Sequence, residues 1–306
     1  MTKFLPLGAT AAATLLLSAC SFVPAYERPA APVAATYPGA STAAATTPAA
    51  DIAWQDYFVD ARLKRLIEIS LANNRDLRVA ILSIDRAQAQ YRVQRAAQFP
   101  AINGAFAGQR QSGSSDVYTL GVGITSFELD FFGRIQSLKD AALAQYLATA
   151  EARKTVQINL VAAVANTYLS ILADEELLRL TRETLTTREQ SLKLAQLRFD
   201  NGVSSELDLR QAQGLVEGAR AATAQLQRQR ALDENALVLL LGQPLPSDLP
   251  AGPDFSAQAA LLSDVPPGLP SELLTKRPDI RSAEQSLLAA NANIGSARAA
   301  FFRASR

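Results

Sequence analysis

The chain has 306 residues, 48% of them hydrophobic and 19% charged, with 30 basic against 29 acidic side chains and no histidine. That apolar content excludes global disorder, and the charge balance offers no net attraction to nucleic acid or to an anionic substrate. Without histidine there is no Ser/His/Asp triad and no imidazole ligand, and the single cysteine, Cys20, allows neither an intrachain disulfide nor a multi-cysteine metal site. Acidic side chains scatter along helical faces with no acid/base constellation, so no catalytic residue, cofactor or metal is expected.

Residues 1–19 read as an export signal: Lys3 supplies a short positive region, and Phe4 to Leu17 is apolar and small. Leu17-Ser18-Ala19-Cys20 resembles a lipobox, which marks Cys20 as a lipidated N-terminus. An ordinary secretory signal cut near Ala19 is the alternative. A spanning helix fits less well, because the run falls short of the ~20 residues a bilayer core needs and Pro6 and Gly8 interrupt it. Stable anchoring takes more than one acyl chain. Ser21 follows the cysteine, not Asp, which in bacterial lipoproteins points to outer-membrane sorting.

Residues 20–50 are rich in Ala, Pro and Thr and lack a periodic apolar face, so they predict an extended tether. Residues 51–100 turn helical, with Leu63, Leu66, Ile67 and Leu71 and then Leu77, Ile81 and Ile84 at three- and four-residue steps. Asn73-Asn74 predicts a break into two helices, and Pro100 ends the second.

In residues 101–132 the period changes to two. Tyr118, Leu120, Val122 and Ile124 alternate with Thr119, Gly121, Gly123 and Thr125, and Ala101 to Arg110 is a weaker strand. Two strands joined by a polar loop match a transmembrane β-hairpin, with the first four residues toward lipid. The alternation alone fits equally a half-buried strand of a soluble sheet.

Residues 133–242 predict a long helical hairpin. Neither Gly nor Pro occurs between Gly133 and Gly202, which predicts one helix on the order of 100 Å long. Val164, Ile171, Leu178, Leu185, Leu192 and Phe199 fall seven apart, a coiled-coil spacing. Asn201-Gly202 punctuates, Ser204 reads as the N-cap of a second helix, and Leu207, Leu215, Ala219, Ala222, Leu226, Ala236, Leu237 and Leu240 form its expected apolar stripe. Gly214 and Gly218 inside it suggest close helix contact. Gly242-Gln243-Pro244 ends the helix, and residues 243–270 form a connector.

Shifting residues 76–100 by 203 positions lays them on 279–303. Asp76, Arg78, Ala80, Ala87, Ala89, Ala96, Ala97 and Phe99 then meet Asp279, Arg281, Ala283, Ala290, Ala292, Ala299, Ala300 and Phe302. Residues 271–306 therefore read as the start of a second repeat.

Several spaced motifs now resemble the TolC-like outer-membrane efflux family, in its lipoprotein branch serving resistance-nodulation-division pumps. They are Pro24-Ala25-Tyr26-Glu27-Arg28-Pro29, the opening pattern Trp54, Phe58, Asp60, Leu63, Leu66 and Ile67, and Ser126-Phe127-Glu128-Leu129-Asp130-Phe131-Phe132-Gly133-Arg134 at the strand-to-helix junction. Gly268-Leu269-Pro270-Ser271 and Arg277-Pro278-Asp279-Ile280 resemble the opening of the second repeat. Phe127 departs from the family pattern, standing where Trp or Tyr is common.

The resemblance implies a mainly α fold with a transmembrane β-hairpin, in which long antiparallel coiled-coil helices form a tunnel and the strands form part of a trimeric outer-membrane β-barrel. It implies a passive exit duct for drugs or solutes, lipid-anchored at the bacterial outer membrane with a periplasmic helical portion. Its partners would be outer-membrane lipid, a periplasmic adaptor and an inner-membrane pump, and Asn201, Gly202, Val203 and Ser204 would form the adaptor-docking tip. Three chains ending at Arg306 would supply fewer strands than the ~8 of the smallest such barrels. The ending is therefore expected to reflect a truncated or frameshifted product, with a sixfold assembly of half-molecules as the alternative. A lipid-anchored periplasmic scaffold or adaptor protein is the rival reading.

Overall fold

The computed structural model describes residues 22–30, 32–33, 51–110, 116–124, 127–252, 255 and 274–302. They belong to two compact units. One draws on Thr36–Val79 and Val156–Leu269, the other on Met1–Ala35, Ala80–Thr155 and Pro270–Arg306. The expected signal and Cys20, and most of the connector 243–270, lie outside the described residues.

The first of these units begins with a short helix α1 (Trp54–Tyr57) and α2 (Ala61–Asn73). Asp60 caps α2 by accepting from the Arg62 N–H at 2.7 Å, and its second carboxylate oxygen accepts the Tyr168 hydroxyl at 2.8 Å. Burial and this acceptor push the Tyr168 pKa well above the ordinary phenol value. The Asn73-Asn74 break is real. Asn74 leaves α2 with extended backbone (φ −61°, ψ 130°), and its Oδ1 caps α3 (Arg75–Ala96) by accepting from the Leu77 N–H at 2.9 Å.

The uninterrupted run is a single helix α4 (Arg134–Asp200) of 67 residues, followed by α5 (Glu206–Leu241). Leu63, Leu66 and Ile67 of α2 are fully buried with Val164 of α4 and Leu241 of α5, joined by Leu160, Tyr168, Leu172 and Leu237. Each such aliphatic side chain contributes about 1.5–3 kcal/mol on burial. The end of α5 is tied to the α2–α3 break: Ser70 Oγ and Asn74 Nδ2 both donate to the Leu240 carbonyl, at 2.8 and 2.9 Å. Gly242 closes α5 in the left-handed region (φ 71°), where a Cβ would collide with the Asn73 carbonyl oxygen.

The apolar stripe expected on α5 needs correction. The buried positions are Leu209, Val216, Thr223, Leu237 and Leu241, while Leu207 and Leu215 stay exposed. Within this chain Gly214 and Gly218 meet no neighbour, since nothing lies within 4 Å of a Cβ built at either.

The second unit holds strands β1 (Ile102–Gln109) and β2 (Val117–Ile124), together with α6 (Pro278–Ala300), the helix of the repeat. Pro278 starts α6, where its missing N–H is harmless. The face of α6 that packs is small: Ala289, Ala292, Gly295, Ser296 and Ala299. Ser282 Oγ donates to the Ala148 carbonyl of α4 at 2.9 Å, and Arg281 pairs with Glu151 at 3.0 Å.

Residues 22–30 form neither helix nor strand, and they are held along α6. Asn291 Nδ2 donates to the Pro24 carbonyl at 2.8 Å, Tyr26 Oη donates to Glu284 at 3.4 Å, and Arg28 pairs with the same carboxylate. Val23 fills the space where a Cβ at Gly295 would sit. Composition alone gave no sign of these contacts, because each is made to a residue more than 250 positions away.

Gly242→Ala is expected to destabilise the chain by about 2–4 kcal/mol, from left-handed strain plus the clash with Asn73. Gly214→Ala, on the same helix in open space, should instead stabilise by up to about 1 kcal/mol. Denaturant titration followed by helical circular dichroism compares the two.

Candidate functional site

Three places carry features that core packing does not explain. In the hairpin, the antiparallel register pairs Ile102 with Ile124, Gly104 with Val122, Phe106 with Leu120 and Gly108 with Tyr118. Alternation then puts Ile102, Phe106, Tyr118, Leu120, Val122 and Ile124 on one face. The other face carries Asn103, Ala105, Ala107, Gln109, Thr119, Gly121 and Gly123, with Val117 the one large apolar exception. Phe106 and Tyr118 stack diagonally, with centroids 6.2 Å apart. Gly108 leaves room for the Tyr118 ring, whose edge carbons would lie 3.2 Å from a Cβ there.

Both faces are exposed along the whole hairpin, Leu120 by 78% and Val122 by 76%. A half-buried strand of a soluble sheet would have one covered face. Thr125 lies outside the described residues.

The second place is the junction from β2 into α4. Gly133 turns the chain at φ 70°. Glu128 receives Arg134 at 2.8 and 2.6 Å in a two-pronged pair, and Asp130 accepts from the Gln136 N–H at 2.8 Å. Two acidic side chains thus sit at the positive end of a 67-residue helix. The pairing with Glu128 raises the Arg134 pKa further above its ordinary value. Phe302 stacks on Phe22 at 5.0 Å and on Phe132 at 5.3 Å. Beside this trio an open crevice of about 1180 Å³ is lined by Val93, Phe99, Leu129, Phe131, Ile135 and Phe302.

The third place is the turn between α4 and α5. Gly202 adopts φ 70°, its N–H donates to Phe199 O at 2.9 Å, and the Val203 N–H reaches Arg198 O at 3.0 Å. Asn201 Nδ2 satisfies the Leu197 carbonyl at 2.7 Å. The cap is one residue later than the sequence suggests. Ser205, not Ser204, receives the Asp208 N–H at 3.2 Å and donates its own N–H to Asp208 at 3.1 Å, forming a capping box. The sequence signal that distinguishes the adjacent serines is Asp208, three residues after Ser205, where Ser204 has Leu207. Val203 projects from the turn, 72% exposed.

Among the described residues, no group of three or more Cys, Asp or Glu side chains is placed to hold a metal ion. By length and composition α4 is the one described helix that could cross a membrane, yet its apolar residues Leu160, Val164, Tyr168 and Leu172 belong to the core with α2 and α5. Sequence reasoning found the alternation of β2 and the turn at Gly202. It missed the Phe22–Phe132–Phe302 trio and the Glu128–Arg134 pair, which only the folded chain assembles.

Residues 66–243 match the family model described as "Outer membrane efflux protein". The chain is 46% identical over 318 aligned residues to the probable efflux pump outer membrane protein TtgC of Pseudomonas putida, an alignment that covers 99% of this chain and 65% of that protein. A crystal structure of a membrane protein from Pseudomonas aeruginosa superposes with a TM-score of 0.79 at 45% identity, covering 92% of this chain and 66% of the other. The open state of the Neisseria gonorrhoeae MtrE outer membrane channel gives a TM-score of 0.78 at 38% identity, covering 92% and 64%. The chain thus spans about two thirds of the length of these relatives.

Proposed function

The chain belongs to the outer membrane efflux protein family, and on that premise we propose that it is part of an outer-membrane exit duct of a tripartite efflux pump. The observation that carries the reading is the hairpin, whose register gathers its large apolar side chains on one fully exposed face. Lipid is the solvent in which such a face is stable, and barrel closure with further strands satisfies the free edges of a two-stranded sheet. Tyr118, Leu120, Val122 and Ile124 then face lipid, while Thr119, Gly121 and Gly123 face the lumen. A periplasmic scaffold or adaptor leaves this apolar face unexplained. The duct does no chemistry; substrates are drugs or small apolar solutes moved by an inner-membrane pump.

Cys20 is the lipid anchor in this reading. Phe22 stacks on Phe302 beside the strand-to-helix junction, and two residues reach no more than about 7 Å. Acyl chains on Cys20 would therefore enter the membrane close to the foot of the hairpin. The turn Asn201, Gly202, Val203 and Ser204 is the docking point for the periplasmic adaptor. Its support is the exposed Val203 side chain on a turn whose Asn201, Gly202 and Val203 N–H groups are already bonded. Exposed leucines on α4 and α5, such as Leu194, Leu215 and Leu239, suit packing against further copies in a trimer.

Val122→Arg should remove the protein from the outer-membrane fraction, since Arg on a barrel's lipid face costs about 2–4 kcal/mol at mid-depth, whereas Thr119→Arg should leave it there. Equal loss from both would sink the membrane assignment. Intact-mass analysis of detergent-extracted protein should show residues 1–19 removed and acyl mass added, and an unmodified thiol would refute the anchor. A cysteine-directed crosslinker on Val203→Cys should capture a coexpressed periplasmic adaptor that Leu180→Cys does not. Equal capture at both positions would contradict docking at the turn.

A further inference from the structure

The helix α6 brings little of its own to its contact with α4. Its buried positions are Ala289, Ala292, Gly295, Ser296 and Ala299, none larger than serine. Burial stabilises in proportion to the apolar area covered, and such a face covers little. Ser282 Oγ donates to the Ala148 carbonyl of α4, and Arg281 pairs with Glu151, but this arginine is half exposed and the pair is correspondingly weak.

Residues 22–28 run along the same helix in the opposite direction. Arg298 Nη1 donates to the Phe22 carbonyl at 3.4 Å, and Val23 occupies the place of a Cβ on Gly295. Asn291 Nδ2 donates to the Pro24 carbonyl at 2.8 Å, while Tyr26 and Arg28 both reach the Glu284 carboxylate. The helix contacts thus fall at 298, 295, 291 and 284, steps of three, four and seven that belong to one face. The segment also meets the other side of the join. A Cβ at Gly295 would touch Ser137 Oγ of α4 as well as Val23. Phe22 stacks on Phe302 past the end of α6 and lies 6.2 Å from Phe132, just ahead of α4.

The internal repeat separates what the helix needs from what the segment needs. With the shift of 203 positions, Phe302 keeps its counterpart in Phe99, but Glu284, Asn291 and Gly295 stand where α3 has Ile81, Gln88 and Arg92. The carboxylate that receives Tyr26 and Arg28 and the gap that admits Val23 are therefore particular to α6. We propose that residues 22–28 are a strap on which the docking of α6 depends. Wedged against both helices, the strap closes the join with the apolar surface and hydrogen bonds that the Ala/Gly/Ser face lacks. Without it α6 opens from α4, while the core that α2 and α5 form with α4 stays closed. The strap and its site are more than 250 residues apart, so α6 becomes fixed only once both segments are present and joined.

The test is amide hydrogen exchange, followed by mass spectrometry, on the full chain in detergent. Local opening of α6 should speed exchange across 282–299 without touching α2. Val23→Asp, a change on the strap alone, should speed it by about tenfold or more. Glu284→Ile combined with Asn291→Gln, which gives α6 the residues of α3, should do the same from the helix side. Glu284→Gln, which keeps an acceptor for Tyr26 and Arg28, should change it by less than about threefold. Wild-type exchange of α6 in either of the first two variants would show that the segment merely lies on a helix that docks unaided, and would overturn the proposal. So would an equal acceleration in α2, which marks general destabilisation rather than release of α6.

Discussion

A helix of 67 residues cannot bury an apolar stripe against itself. Most of the remaining structure consists of the partners this helix requires. In one unit α2 and α5 cover it at Leu160, Val164, Tyr168 and Leu172. In the other, α6 approaches on a face of Ala, Gly and Ser, and residues 22–28 fill what is left. Where partners run out, burial fades: Leu178 is buried, Leu185 and Leu192 are half-covered, and Phe199 is exposed. The exposed remainder of the heptad series is the apolar surface that the proposed packing against further copies would cover.

The elements were legible because their signals are local. Asn73-Asn74, Gly133, Gly202 and Gly242 punctuate the chain where helices begin or end, and the last three take the only positive φ angles among the described residues. The alternation of β2 was equally plain, and the register added a weaker strand that puts Ile102 and Phe106 on the same apolar face. What stayed hidden depends on distance along the chain. Neither the hold of α6 on residues 22–28 nor the collision that reserves position 242 for glycine can be read from nearby residues. Gly214 and Gly218 are the reverse case, positions whose expected close contact has no counterpart within this chain. The candidate site divides in the same way. The alternating strand and the tip turn are written in sequence, while the aromatic trio at the junction joins residues 22, 132 and 302.

The pairing of Arg230 of α5 with Glu175 of α4 is best understood as a solution to a register problem. Val164, Ile171, Leu178, Leu185 and Leu192 repeat every seven residues, and so do Leu209, Val216 and Thr223. Two such helices packed antiparallel are nearly as well satisfied after sliding by one repeat, because apolar contacts are non-directional. Arg230 removes that degeneracy. In the observed register it reaches Glu175. A slide of seven residues brings it to Arg182, with like charge, or to Tyr168, whose hydroxyl is already committed to Asp60. Leucine at this layer would bury more apolar area and leave the sliding states close in energy. The Arg230–Glu175 pair is partly exposed, and it favours one alignment as a single polar layer does in coiled coils, at some expense of stability.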